Sequence, residues 1–161
     1  MLDKIDKKIL ALLQENARHP LKYLASRVFL SSPAVSSRIE RLEKKGVITG
    51  YHAAINPAYL GYHLKAFISL NLIPKEKEKF YSFIQECPNV VECNCITGKF
   101  SILMKVIFPT TDQLDMFINQ LEEFGITETQ IAFSTPIETR GLRMATPSFL
   151  NSTEELEKAA L

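Results

Sequence analysis

The chain has 161 residues, 46% of them hydrophobic and 23% charged, with a formal net charge of +1. Such a composition is globular, which excludes wholesale disorder, a collagen repeat and a coiled-coil rod, and no run reaches the roughly 18 apolar residues of a membrane span. The opening Asp3, Lys4, Asp6, Lys7 and Lys8 is no apolar signal core and three cysteines do not pair off, so the expectation is a cytoplasmic protein with reduced thiols and no membrane partner.

Ile5, Ile9, Leu12 and Leu13 fall at i, i+4, i+7 and i+8 with charges between them, predicting a first amphipathic helix that ends by Pro20. A second, short helix starts near Leu21, where Leu24, Ala25 and Val28 continue an inward stripe and Pro20 suits the first turn. Phe29 and Leu30 form a brief turn. The third helix opens at Ser31-Ser32-Pro33, a capping hydroxyl followed by a proline, and Gly46 stops it.

Three helices with so short a turn between the last two have the spacing of a helix-turn-helix. With Val35, Ile39 and Leu42 inward on the third helix, 100° per residue puts Pro33, Ser37, Arg41 and Lys44 on the outer face, with Ala34, Ser36 and Arg38 near it. Small residues allow close entry to a major groove, hydroxyls bond base edges or phosphates, and arginines reach guanine or the backbone. An ordinary solvated helix face would look similar, but the charge distribution favours DNA. Residues 1–64 carry ten Lys/Arg against five acids, a net +5, while the remainder carries nine against thirteen, a net −4. The candidate double-stranded DNA contacts are Ser32, Pro33, Ser36, Ser37, Arg38 and Arg41 in the groove, with Lys22, Lys44 and Lys45 on phosphates and Ser31 at the helix start.

Val47 to Ile55 is rich in strand formers and closes at Asn56-Pro57, predicting a connecting strand or wing, and Ala58 to Tyr62 is a hinge. From Lys65 the hydrophobic period changes to two, a strand apolar on both faces. Glu76 to Glu86 follows as a helix with Phe80, Phe83 and Ile84 inward. Val90 to Ile96 is a strand, Thr97-Gly98-Lys99 a hairpin turn, and Phe100 to Phe108 a strand. Thr111 or Asp112 caps a helix carrying the stripe Leu114, Phe117, Ile118, Leu121 and Phe124, which Gly125 ends, and a last strand covers about Thr129 to Arg140. The order βαββαβ is ferredoxin-like, so the fold class is α+β: a winged helix-turn-helix followed by a ferredoxin-like domain. One face of that sheet lacks helices, and a second copy of the chain is its economical cover.

Ile5-Asp6-Lys7-Lys8-Ile9-Leu10, Asn16-Ala17-Arg18, Leu24-Ala25, Leu30-Ser31, Arg38-Ile39, Leu42-Glu43 and Gly46 to Tyr51 together resemble the DNA-binding module of the Lrp/AsnC transcription regulators. The second module resembles that family's amino-acid-sensing domain, and the likeness spans about residues 2–144. It implies a homodimer joined through the ferredoxin-like domains, often assembled into octamers, pseudo-palindromic DNA, and an amino-acid effector held between dimers, with no other cofactor and no metal. The family's sensing loop matches Thr97-Gly98-Lys99-Phe100-Ser101. Many leucine-type members have aspartate where Ser101 stands, whereas the asparagine-responsive regulator is similar to this chain in having serine. Its Thr-Glu-Thr is matched by Thr127-Glu128-Thr129, which leans towards asparagine or another polar amino acid. From the residues alone this loop also reads as a plain hairpin turn. Sirohaem decarboxylases look alike in both modules, but here the second module carries only Arg140 and Arg143 and no histidine after His63. A DNA-binding protein with no effector is the other alternative.

The expected organisation is a DNA-binding domain at 1–50, a connection at 51–64, a sensing and oligomerisation domain at 65–144 and an extension at 145–161 that either frays or docks on a neighbour. Cys87, Cys93 and Cys95 lack zinc-ligand spacing and read as buried structural cysteines.

Overall fold

The computed structural model describes residues 2–141, and the extension expected at 145–161 lies outside them. Two compact units are present among the described residues, one running to Ala53 together with Thr139–Gly141, the other Ala54–Glu138. Among the described residues no helix is long and apolar enough to cross a membrane.

The first unit is three helices: α1 Lys4–Glu15, α2 Leu21–Val28 and α3 Ser32–Lys44. Asp3 caps α1 through a reciprocal box with Asp6, each side chain bonded to the other's backbone N–H. Ser31 caps α3 by accepting from the Ala34 N–H at 3.4 Å. Pro20 occupies the N-cap of α2, one position before the first turn. Ile9, Leu12, Leu24, Ala25, Val28 and Val35 form the core, which the stripes on the three helices require. The turn into α3 is made by Phe29, left-handed at φ 57° and almost wholly exposed.

Val47–Ile55 departs from expectation. Apart from the 3₁₀ turn Pro57–Leu60, the chain from Thr49 to His63 has no regular element. Strand propensity here finds no ladder partner among the described residues, and an unpaired strand is not stable by itself.

The second unit follows βαββαβ: β1 Leu64–Leu72, α4 Lys77–Gln85, β2 Val90–Cys95, β3 Ile102–Phe108, α5 Thr111–Leu121 and β4 Gly125–Ile131. Its four strands are antiparallel in the order β2-β3-β1-β4. Alternation sends Ala66, Ile68, Leu70, Ile102, Met104 and Val106 onto the helices, where they meet Phe80, Leu114, Phe117, Leu121 and Phe124. The opposite face carries Phe67, Ser69, Asn71, Leu103, Lys105 and Ile107.

The bounds of α5 and β4 move. Thr110, not Thr111 or Asp112, caps α5, and the helix ends at Leu121, so Gly125 opens β4 instead of closing α5. The last strand is Gly125–Ile131 and not Thr129–Arg140, because β4 pairs with β1 only from Leu72↔Gly125 to Ala66↔Ile131, two residues short of the start of β1 at Leu64. Pro136, which has no N–H to donate, sits inside the segment that the longer strand would need.

Candidate DNA interface and effector loop

On α3, Pro33, Ser37, Lys44 and Lys45 are exposed, as are Lys22 on α2 and the capping Ser31, while Ser32 and Ser36 are half-buried. The Ser36 hydroxyl donates to Glu40 at 3.3 Å. Pro33, Ser37 and Lys44 therefore line one open side of the helix, with the small residues at its N-terminal end.

The two arginines are placed differently. Arg38 Nη1 donates to Asp3 Oδ2 at 2.6 Å and to Asp6 Oδ1 at 2.8 Å, and Arg41 Nη2 bonds both Asp6 oxygens at 2.8 Å. Both guanidiniums thus turn to the first turn of α1 and not to the open side of α3 where the sequence expects them. The physical reason is charge neutralisation: Asp6 is 2% exposed, and a buried carboxylate requires cations and hydrogen bonds around it. Arg38, and after it the Asp6 backbone N–H, hold the Asp3 carboxyl below the usual carboxylate range. Asp3, then Asp6, raise the Arg38 guanidinium further. At the other end of α3, the Tyr51 hydroxyl donates to Glu43 Oε1 at 2.8 Å, and burial first, then Glu43, pushes the Tyr51 phenol up to about 12.

In the second unit the Thr97–Ser101 loop closes with the Ile96 N–H on the Ser101 carbonyl at 2.9 Å. Gly98 has φ +115°, a backbone that an L side chain rarely adopts. Ser101 is tied to β1: its hydroxyl accepts from the Leu72 N–H at 3.0 Å and donates to the Leu70 carbonyl at 3.4 Å, and its own N–H bonds the Leu70 carbonyl at 3.1 Å. The Lys99 ammonium lies over the Phe100 ring, 4.8 Å from its centre, and 3.8 Å from Glu128 on β4.

Period-two alternation splits the expected Thr127-Glu128-Thr129 group. Thr127 and Thr129 share the helix side with Leu70 and Ile68, their register partners, while Glu128 joins Ser69 on the open face. Only Glu128 meets the loop, so the structure does not bring the two threonines together with it. On the helix side, Ser101 borders a separate cavity of about 330 Å³ also lined by Lys77, Tyr81 and Cys95.

The thiols are free. Cys87 and Cys93 are half-buried, and burial raises both, but Cys95 is exposed, with the Tyr81 hydroxyl 3.1 Å from its sulfur. A buried structural role does not hold for Cys95, because β2 is an edge strand and its outer end is uncovered. Among the described residues no group of three or more His, Cys, Asp or Glu is arranged to hold a metal.

Residues 2–49 match the winged helix-turn-helix DNA-binding family, and residues 65–142 match the Lrp/AsnC ligand binding domain. The HTH-type transcriptional regulator Ptr1 of Methanocaldococcus jannaschii is 35% identical over 118 residues, 73% of this chain and 80% of the relative. This chain belongs to the Lrp/AsnC family. The structure of Escherichia coli AsnC is similar, with TM-score 0.78 and 30% identity over 86% of this chain and 97% of that one. The regulator NMB0573 of Neisseria meningitidis, solved as an L-Met complex, has TM-score 0.83 and 27% identity over 88% of this chain and 96% of that one. The Lrp/AsnC chain is thus a DNA-binding transcription regulator with a ligand-binding domain, and its relatives are regulators instead of decarboxylases.

Sequence reasoning missed the role of Asp3 and Asp6 in this Lrp/AsnC regulator, counting them only as charges. The signal was available: Asp6, Ile9 and Leu13 fall at i, i+3 and i+7, which places a carboxylate in the inward stripe of α1.

Proposed function

We propose that the protein acts in the cytoplasm as a homo-oligomeric regulator whose effector is an amino acid, with asparagine or another polar side chain the first candidate. The observation that carries the reading is the Lys99–Glu128 pair at 3.8 Å, whose side chains are 80% and 48% exposed. An ion pair so open to water contributes little by itself. A zwitterion can take it over, its carboxylate on Lys99 and the backbone N–H groups around Gly98, its ammonium on Glu128. Ser101 then holds the loop on β1, a positioning part, and does not face the effector as a free hydroxyl. The methionine held by NMB0573 supports an amino acid as the ligand class.

On this reading the DNA contacts are Ser32, Pro33, Ser36 and Ser37 in the major groove, with Lys22, Lys44 and Lys45 on phosphates. The sheet face bearing Phe67, Leu103 and Ile107 is covered by a second copy, and the dimers assemble into octamers. The division into 1–50, 51–64 and 65–144 separates these tasks.

A thermal-shift screen against the amino acids, with light scattering on each hit, tests the effector. A ligand at a hundred times its Kd stabilises the folded state by about 2.7 kcal/mol. One amino acid should raise the melting temperature and change the assembly, and Glu128→Gln should abolish both effects. A flat screen of the wild type overturns the amino-acid reading.

A further inference from the structure

Asp6 is the one buried charged or polar residue among those described, yet it lies on α1, which supplies none of the proposed DNA contacts. Its oxygens are fully subscribed. Oδ1 accepts from Arg38 and Arg41, and Oδ2 accepts from Arg41 at 2.8 Å and from the Asp3 N–H at 3.3 Å. Asp3 completes the arrangement by holding Arg38 and the Asp6 N–H at 2.6 and 2.7 Å. The capping box of one helix is therefore also the receptor for two guanidiniums of the recognition helix.

This arrangement decides what α3 can offer to DNA. A guanidinium that left Asp6 for a phosphate would leave this buried carboxylate with one cation instead of two, and weakening a buried ion group from one side costs more than an exposed ionic contact returns. The groove side is left with small residues and Lys44, so attraction that ignores sequence is held down.

We propose that Asp6 is a specificity-setting positioning residue, which withholds Arg38 and Arg41 from the DNA backbone so that discrimination falls to the N-terminal end of α3. The inference rests on the DNA contacts proposed above. It differs from a purely structural role in one measurable respect, the number of phosphates neutralised.

Salt dependence of binding reads that number directly. Two probes serve, a short random-sequence duplex and a duplex selected from a randomised pool on the wild-type protein. Asp6→Asn keeps the shape and removes the charge. On random DNA the slope of log K against log salt should steepen by about 0.9 for each released guanidinium, up to about 1.8 for both. The preference for the selected duplex should fall. An unchanged slope with weaker binding to both duplexes would show that Asp6 serves only stability, overturning the proposal. If circular dichroism shows that Asp6→Asn does not fold, Arg38→Gln and Arg41→Gln decide instead. Each should leave the wild-type slope unchanged, whereas a loss of about 0.9 per substitution would place the arginines on phosphates and overturn the proposal. Lys44→Ala separates the underlying contact reading, because it should flatten the slope by about 0.9 whatever Asp6 does.

Discussion

Gly125→Ala tests whether the second unit depends on a close approach at the start of β4. Gly125 has φ +153°, and a Cβ placed there would lie 2.1 Å from the Asn71 carbonyl oxygen and 3.0 Å from its carbon. Those atoms are backbone of β1, so no rotamer change relieves the clash, and the first residue of β4 must leave its partner Leu72. The neighbouring bond from the Ile73 N–H to the Phe124 carbonyl, 2.9 Å long, goes with it. Crowding of about 1–3 kcal/mol, backbone strain of similar size and a lost hydrogen bond near 1 kcal/mol together predict a loss of about 3–7 kcal/mol. That is a large share of the 5–15 kcal/mol typical of a folded domain. Gly98→Ala is the control: its φ is also positive, at +115°, but its Cβ would meet nothing within 4 Å. It should cost only the strain, about 1–2 kcal/mol. Urea unfolding followed by far-ultraviolet circular dichroism measures both, since the chain has no tryptophan. If Gly125→Ala costs no more than Gly98→Ala, the close approach does not govern this strand.

Ser101→Ala removes the acceptor of the half-buried Leu72 N–H and should cost about 1–2 kcal/mol by the same urea assay, whereas stability within 0.3 kcal/mol of wild type would deny Ser101 its hold on β1. Tyr51 is pushed up to about 12, so its neutral form stabilises the fold below the ordinary tyrosine value near 10 and the contribution disappears between about pH 10 and 12. Ultraviolet titration should show Tyr51 ionising late, and Glu43→Gln should bring it down. Asp3 is held below its ordinary value near 3.9, so the stability it lends is present above that pH and falls away as the pH drops through the lower folded value. Acid unfolding should begin at higher pH in Arg38→Gln than in wild type, and identical acid limbs would contradict the pairing.

Periodicity made most of the fold legible. Ile5, Ile9 and Leu12 marked α1, the Ser31-Ser32-Pro33 signal contained both the cap and the first residue of α3, and the switch to alternation at Lys65 marked β1 within one position. Errors fell where local preference competes with pairing. Gly125 suits a helix stop as well as a tight strand start, and only the register with β1 decides between them. Val47–Ile55 has the residues of a strand, but propensity does not supply a partner. At the effector loop the sequence named Glu128 and the two threonines together, and a residue-by-residue match could not register that neighbours on a strand face opposite ways.

The arginines mark a different kind of limit, and it bears on how the protein works. A helical wheel fixes where a Cα sits, whereas an arginine head lies several bonds away and goes to whichever anion the packing supplies. Arg38 and Arg41 flank the inward stripe of Val35, Ile39 and Leu42, and α1 sets Asp6 against that flank. Once both are paired with Asp3 and Asp6, the first 64 residues keep their net +5, now eight basic against three acidic, but that excess no longer includes the two arginines of α3. On the proposed contacts of Lys22, Lys44 and Lys45 with phosphates, one unit would have a salt slope of only about −2.7 and weak attraction to any sequence. Several such units joined in one oligomer bind far more tightly than one, but only where the DNA places matching half-sites at the spacing of the assembly. On the proposed contacts, low charge on each recognition helix would hand control of occupancy to the assembly, and a ligand that alters assembly would switch DNA binding without touching α3.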